Sequence, residues 1–214
     1  MENKNYPKVI QKLIDLFCKF PGVGPKTAAR FVFYLIKQGD QDVKDLAQSI
    51  SVLKESLKVC SFCFKLFQPD DLENNGNLCA ICSNGLRNKS ALCVVEKQTD
   101  LVSIEKNNIY KGLYFILGGT VSNLSEKSIS KLRISELEQR IKNPKQFGIL
   151  NVNIQEIILA INPTVDGEAT TLYLERKLKN LDKKITRLGR GLSTGAELEY
   201  ADQETMRSAF QGRK

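Results

Sequence analysis

The stretch from Cys60 to Cys82, CSFCFKLFQPDDLENNGNLCAIC, decides how the rest of the chain is organised. It holds two Cys-x-x-Cys pairs, Cys60 with Cys63 and Cys79 with Cys82. This spacing is typical of a Cys₄ zinc site, in which each pair supplies two thiolates of a tetrahedron. The loop at 64–78 is rich in turn residues, so we expect its order to depend on bound metal.

Two other uses of these cysteines have the same spacing: a pair of disulfides, or a redox-active Cys-x-x-Cys. The chain opens on MENKNYPKVIQKL, which lacks the apolar core of a secretory signal. A protein kept in a reducing compartment rarely forms disulfides, and a redox site needs only one pair. We therefore expect the four cysteines to hold Zn²⁺.

The amino-acid composition limits the functions that this chain can have. The chain of 214 residues has 42% hydrophobic residues, enough for a proper core, and a net charge of +8, which favours polyanionic partners. No apolar run is long enough to cross a membrane, so we expect a cytoplasmic, nucleoid-associated protein without a membrane partner. The absence of histidine excludes Ser-His-Asp and Cys-His catalysis within this chain.

The amino-terminal part predicts a pair of helices joined by a tight hairpin. Apolar residues recur at helical spacing in 10–17 and again in 28–35, on either side of PGVGP at 21–25. Pro21 is expected to end the first helix, and Pro25 suits the first turn of the second. Gly22 and Gly24 allow left-handed backbone and close approach of another molecule.

Such a hairpin resembles the helix-hairpin-helix motif, which binds the DNA backbone without reading its sequence. The amino terminus of the second helix is a site for anions, and Lys26 and Arg30 lie one turn apart beside it. GVGPKT at 22–27 superficially resembles a nucleotide-binding P-loop, but a proline stands where that motif needs glycine. The alternative is a structural helical hairpin whose two basic residues are only solvated.

Beyond the hairpin, Val43 to Leu57 predicts a third helix packed along the first two, and the carboxy-terminal part alternates strands with helices. We expect an α/β multidomain protein whose largest domain has a central, mainly parallel sheet. Cys18 and Cys93 are expected to be core residues. The predicted strands are 91–95, 112–117, 156–161 and 183–188, and the predicted helices are 100–106, 135–142 and 167–181.

Acidic residues follow two of these strands, where a parallel sheet carries its functional groups. VVE at 94–96 and ILAINPTVDGEA at 158–169 resemble the Toprim fold of topoisomerases and primases. Catalytic Toprim proteins place a Glu after the first strand and an Asp-x-Asp after a later one, and here that pair is Asn162 and Thr164. Without those carboxylates Mg²⁺ lacks its ligands, so we expect a scaffold that is not an enzyme.

The order of modules along the chain is similar to that of the bacterial recombination mediator family RecR. The pieces that carry this resemblance are PGVGPKTAAR, CAIC, LCVVE, GLYFILGG, NPTVDGEAT and the segment TRLGRGLSTGAELEYAD at 186–202. The loop between the cysteine pairs is longer than expected for the family, Phe64 stands at a position that is usually glycine, and Ser193 replaces an expected proline. We expect domains at 1–58 (helix-hairpin-helix), 59–84 (zinc finger), 85–185 (Toprim) and 186–214 (oligomerisation).

The resemblance implies a ring-like homo-oligomer, from dimer to tetramer, that encircles single- or double-stranded DNA and acts with RecO-like and RecF-like proteins to load recombinase at gaps. The site residues expected for DNA are Gly22, Gly24, Lys26 and Arg30, and those expected for a protein partner are Glu96, Asp100, Asp166 and Glu168. For Glu96 and Asp166 the alternative is loop solvation or capping of a helix amino terminus. The competing functions are a metal-dependent nuclease or primase-like enzyme and a zinc adaptor that does not touch DNA.

Overall fold

The computed structural model describes residues 6–69, 76–121, 126–150 and 152–213, which fall into two compact units divided between Ser56 and Leu57. Part of the predicted cysteine loop, residues 70–75, lies outside the described residues. Within the described ranges, no helix is both long enough and apolar enough to span a membrane.

The amino-terminal unit is helical: α1 is Lys8–Phe17, α2 is Pro25–Lys37 and α3 is Asp40–Val52. Ile14 of α1 meets Ala28 and Val32 of α2 in a small core, as the apolar spacing predicts. Cys18 packs against this core, which confirms its expected role. The first helix ends at Phe17, ahead of Pro21, so the prediction that this proline ends it is wrong.

The third helix departs from its prediction in two ways. It ends at Val52, short of the predicted Leu57, and none of its residues is buried. Ile50 is 62% exposed, and Leu46 and Leu53 are exposed as well. The prediction that α3 packs along the first two helices is therefore wrong within this unit, because its apolar stripe finds no surface to cover it.

The elements of the second unit are β1 Lys58–Val59, β2 Leu66–Phe67, α4 Ala80–Ser83, β3 Asn88–Val95, α5 Gln98–Lys106, β4 Gly112–Ile116, α6 Glu126–Ile129, α7 Ile134–Lys142, β5 Glu156–Ala160, α8 Val165–Leu178, β6 Lys184–Arg187 and α9 Gln203–Gln211. The unit is built on a four-stranded parallel sheet of order β4-β3-β5-β6, which confirms the predicted architecture. Helices connect successive strands, so side chains of β3 and β4 are buried on both faces, including the expected core residue Cys93.

The cysteine segment shares its core with this sheet. Phe62, Phe67 and Ile81 are buried in the same continuous cluster as Leu92 of β3 and Phe115 of β4. The rings of Phe62 and Phe67 supply apolar surface that so short a cysteine segment would otherwise lack. The module is therefore packed against the sheet by its own side chains as well as through its cysteines.

Candidate functional site

Four buried cysteines form the first candidate site. The sulfurs of Cys60, Cys63, Cys79 and Cys82 all lie within 4.8 Å of one another. The Sγ atoms of Cys63 and Cys79 are 3.6 Å apart, far longer than a disulfide bond, and all four thiols are free. The cluster could therefore hold a metal ion, and the disulfide alternative is absent from the structure.

Backbone hydrogen bonds hold the cysteine sulfurs in place. The Lys65 N–H donates to Cys63 Sγ over 3.5 Å, and the Cys79 N–H donates to Cys60 Sγ over 3.4 Å. Hydrogen bonds from Cys63 and its neighbours lower the pKa of Cys60, whereas hydrogen bonds and burial raise the pKa of Cys82. The four thiols thus lie close enough to change one another's pKa.

Phe64 explains how the first cysteine pair tolerates a residue where the resemblance predicts glycine. Its φ of 65° lies in the left-handed region, which costs a residue with a side chain about 1 kcal/mol. The ring offsets this cost by edge-to-face packing on Phe115, 5.5 Å between centroids. The guanidinium groups of Arg133 and Arg140 each lie 4.6 Å from the same ring.

The hairpin between α1 and α2 is the second candidate site. Gly22 has a φ of 77°, as expected for left-handed backbone, but Gly24 is extended with φ −89° and ψ 173°. At both positions a Cβ atom would meet nothing within 4 Å. Packing within the described unit therefore does not require either glycine, although the left-handed turn requires Gly22. Both glycines leave room for another molecule.

The start of α2 leaves hydrogen-bond donors available. Pro25 begins the helix, Gly24 offers no side-chain cap, and the first bond into the helix runs from Ala28 N–H to Gly24 O. Lys26 and Arg30 are exposed, and no carboxylate of the described residues pairs with either. The arrangement places backbone donors and two unpaired positive charges at one helix end, which suits an anion.

The third candidate site is the edge where β3 and β5 end. Glu96 follows β3 and is only 8% exposed. Its Oε2 accepts a hydrogen bond of 3.0 Å from the Asn162 side chain, and its Oε1 lies 3.1 Å from Lys97 Nζ. Both carboxylate oxygens thus have partners, an amide and a lysine. This is also the place where the sequence lacks the metal-binding acids of catalytic Toprim proteins.

The loop after β5 is shaped by one glycine. A Cβ atom on Gly167 would lie 1.9 Å from the Asn162 carbonyl oxygen, so no other residue fits without moving the loop. Thr164 caps α8 by accepting from the Gly167 N–H over 3.1 Å. The same turn that starts α8 therefore presents the Asn162 side chain to Glu96.

The remaining acids of this edge differ in their surroundings. Asp100 caps α5, since its Oδ2 accepts from the Lys97 N–H over 2.9 Å. Glu168 pairs with both Arg187 and Arg190, whereas Asp166 is exposed. Beside them a cleft of about 410 Å³ runs from α5 to the end of β6.

Several arginines that shape these sites could not be identified from the sequence alone. Arg187 donates to both oxygens of Glu175 at 2.7 Å, and this hydrogen bonding lowers the pKa of Glu175. Arg140 is buried beside the cysteine segment, and burial lowers its pKa. No local sequence motif identifies such residues, because their partners are distant in the sequence and only the fold brings them together.

Comparison with known proteins gives family matches over most of the chain. The family described as "RecR, helix-hairpin-helix" matches residues 10–53, "Toprim domain" matches 90–189, and "RecR, C-terminal" matches 191–214. Two curated relatives named "Recombination protein RecR" are each 39% identical over 209 residues. One is from Bifidobacterium animalis subsp. lactis (strain AD011), with 98% of this chain and 97% of the relative covered, and the other from Staphylococcus aureus (strain Newman), with 98% of both covered.

Two of the matched segments contain sites described above, whereas the cysteine cluster lies between the matches. The helix-hairpin-helix match spans the Gly22–Arg30 hairpin, and the Toprim match spans both Glu96 and the loop after β5. Identity of 39% across nearly the full length of both chains exceeds what a shared fold alone would require. The chain belongs to the RecR family.

Proposed function

We propose that this protein is a DNA-binding mediator of recombinational repair of the RecF pathway, which contacts DNA through the Gly22–Arg30 hairpin without reading its sequence. The observation that carries the proposal is the hairpin itself, whose glycines face open space and whose Lys26 and Arg30 have no acidic partner among the described residues. Backbone N–H donors and two neighbouring cations at the start of a helix can bind successive phosphates of a DNA strand. The relatives' printed names, recombination proteins, support the same role.

The metal that best fits the cysteine site is Zn²⁺, held by Cys60, Cys63, Cys79 and Cys82. A zinc ion with Zn–S bonds of about 2.3 Å separates its tetrahedral ligands by about 3.8 Å, and the observed cluster is of that size. Four thiolates in a buried site favour zinc over Mg²⁺ or Ca²⁺, which take oxygen ligands. Zinc would stabilise the fold of the segment and supply no chemistry to DNA.

The Toprim part of the protein acts as a scaffold and not as a nuclease. Glu96 is engaged by Asn162 and Lys97, and among the described residues no other carboxylate is buried beside it to share a cation. Phosphoryl transfer at such sites depends on carboxylate-bound metal ions that stabilise the developing charge. The exposed acid of the edge, Asp166, serves instead as the docking point for a basic, RecO-like partner, with Asp100 and Glu168 nearby, whereas Glu96 is buried and takes no direct part.

Self-association into a ring that encloses DNA completes the proposal, with RecF-like proteins assisting recombinase loading at gapped DNA in the cytoplasm, at the nucleoid. The apolar stripe of α3, with exposed Leu46, Ile50 and Leu53, supports self-association because it offers surface that the unit leaves uncovered. The carboxy-terminal segment presents further exposed apolar side chains, Leu198, Tyr200 and Phe210. A second copy of the chain would bury both sets.

The test combines DNA binding with a cleavage assay. We expect the protein to bind unrelated gapped duplexes with equal affinity, to bind more weakly as salt rises, and to leave the DNA intact when Mg²⁺ is added. Strong preference for one sequence would contradict phosphate binding through the hairpin. Mg²⁺-dependent cleavage that disappears in Glu96→Gln would instead establish the enzyme alternative.

The partner surface has its own comparison. Asp166→Asn should slow association with a RecO-like protein and weaken its salt dependence, because exposed charges act mainly on the encounter rate. Asp182→Asn removes an equally exposed acid beyond the other end of α8 and serves as the control. Equal association rates for the two variants would show that the acidic edge is not the docking surface.

A further inference from the structure

Arg140 of α7 is a buried cation without an acid beside it. Its residue exposure is 7%, and no carboxylate of the described residues forms an ion pair with it. Its Nε is buried without a hydrogen-bond partner. Burying a guanidinium is costly unless its charge and donors are met, so the surroundings must supply compensation.

Three contacts connect Arg140 to the first cysteine pair. One guanidinium nitrogen donates to the carbonyl oxygen of Ser61, the residue after Cys60, over 3.1 Å. The guanidinium lies 3.9 Å from the ring centroid of Phe147 and 4.6 Å from that of Phe64, the residue after Cys63. Ser61 Oγ in turn donates to the Phe147 carbonyl over 3.2 Å, which closes the arrangement.

These contacts leave the charge of Arg140 only partly offset, because rings and carbonyls provide partial charges. A guanidinium nitrogen also donates to the Glu136 backbone carbonyl over 3.2 Å, which adds a further partial charge and no full negative charge. Four thiolates around one divalent ion leave a net negative charge in a buried site. A buried cation offsets the desolvation cost of a nearby buried anionic metal centre, and the metal centre offsets that of the cation.

We propose that Arg140 is a positioning residue of the metal centre: it fixes the Cys60 turn through the Ser61 carbonyl and supplies the positive charge that balances the thiolates. The inference rests on the metal site proposed above and concerns a residue that neither the cysteine spacing nor the family matches identify. Residues that support metal ligands from outside the coordination sphere commonly change metal affinity 10- to 100-fold when replaced, so about a ten-fold effect is expected.

The experiment compares metal-loaded variants in competition with a chelator. Arg140→Met, which removes the charge and the donors, should release metal at about ten-fold lower chelator concentration than the parent. Arg140→Lys keeps the charge and should fall between them. Arg133→Met is the matched control, because Arg133 lies at the same 4.6 Å from the Phe64 ring but donates to Ile116 O on the sheet, and it should retain the affinity of the parent.

A spectrum separates the charge effect from loss of packing. In the Co²⁺-substituted protein, removing a cation beside the thiolates makes their electrons easier to transfer to the metal, so the charge-transfer band of Arg140→Met should move to longer wavelength. The band of Arg133→Met should not move. If Arg140→Met fails to fold, Arg140→Gln keeps an amide donor for Ser61 O without the charge and gives the same comparison.

The outcomes distinguish this inference from the metal proposal. Metal bound by the parent, with unchanged affinity and an unmoved band in the neutral Arg140 variants, would overturn the role of Arg140 and leave the metal site standing. A parent chain that binds no metal would overturn both. An affinity loss without a band shift would assign Arg140 to packing alone and would also overturn the charge-balancing role.

Discussion

Asn162 donates its side-chain N–H to Glu96 Oε2 over 3.0 Å, joining the ends of two neighbouring parallel strands. Asn162→Asp should therefore destabilise the protein at neutral pH by about 1 kcal/mol or more, because two carboxylates would face each other. Repulsion raises the pKa of such a pair, so the destabilisation should shrink as pH falls and one acid takes up a proton. Thermal unfolding at pH 8 and pH 5 measures this difference.

Asn162→Ala is the control for that substitution, because it removes the hydrogen bond and adds no charge. Its stability loss should change little between the two pH values. If Asn162→Asp and Asn162→Ala behaved alike at both pH values, the close approach of the two side chains would be wrong.

Gly167 is expected to be intolerant of substitution. Gly167→Ala would bring Cβ to 1.9 Å from the Asn162 carbonyl, and relieving that clash should cost about 3 kcal/mol in free energy of unfolding. Gly189→Ala adds the same methyl group where nothing lies within 4 Å and should change stability by under about 0.5 kcal/mol. Denaturant titration of the two variants measures the difference. Similar losses of stability in both would argue against the tight turn.

The basic hairpin residues should act additively on DNA affinity. Lys26→Ala and Arg30→Ala should each reduce the slope of log affinity against log salt by about one, whatever the DNA sequence. Lys37→Ala changes an exposed lysine at the other end of the same helix and should leave the slope as it is. A Lys26→Ala, Arg30→Ala double variant that binds as the parent does would remove the hairpin from the binding site.

Metal content should distinguish the cysteines by position. Cys82→Ser should lower bound zinc from one ion per chain to well below one, since three thiolates remain. Cys93→Ala lies inside β3 and should keep the full metal content while losing stability to a small cavity. Elemental analysis after purification under reducing conditions decides the matter, and equal metal content in the two variants would contradict the assignment.

The Glu175–Arg187 pair predicts a dependence of stability on pH. Hydrogen bonding to Arg187 lowers the pKa of Glu175 in the folded protein below its ordinary value of 4.5. The contribution is therefore complete above that value and is lost as pH falls through the lower folded pKa. Glu175→Gln should be less stable than the parent at pH 7, by under about 1 kcal/mol because the pair is partly exposed, and the gap should close in acid.

Glu204→Gln provides the reference for this pair. Glu204 meets Arg207 at 3.5 Å on the surface of α9, where both side chains are well exposed. Its stability should match the parent at every pH. A gap between Glu175→Gln and the parent that persists unchanged below pH 3 would rule out the ion pair as its source.

Sequence periodicity predicted most of the second unit because its elements are local patterns. Buried strands such as 91–95 appear in the sequence as short apolar runs, and four cysteines at this spacing indicate a candidate metal site whatever surrounds them. The start of α2 at Pro25 and the left-handed Gly22 follow from the restricted backbone of those residue types. These features depend on neighbours along the chain and so can be found without the fold.

Other features depend on contacts that the chain makes over long distances. The pairing of Glu168 with Arg187 and Arg190, and the burial of Arg140 beside Ser61, arise only when strands and helices pack. The packing of α3 was predicted wrongly because an apolar stripe shows that a helix needs a partner surface without showing where that surface lies. Glu96 was expected to be an accessible acid, yet the turn around Gly167 brings Asn162 over it.

The cysteine segment also guards an edge of the sheet. β4 is an outer strand, its sequence GLYFI is wholly apolar, and the outward N–H of Ile116 donates to Cys63 O over 3.0 Å. An uncovered apolar edge strand is a template on which other chains add strands and aggregate. The order of the cysteine segment would thus decide whether β4 stays covered, and with it the tendency of the protein to aggregate.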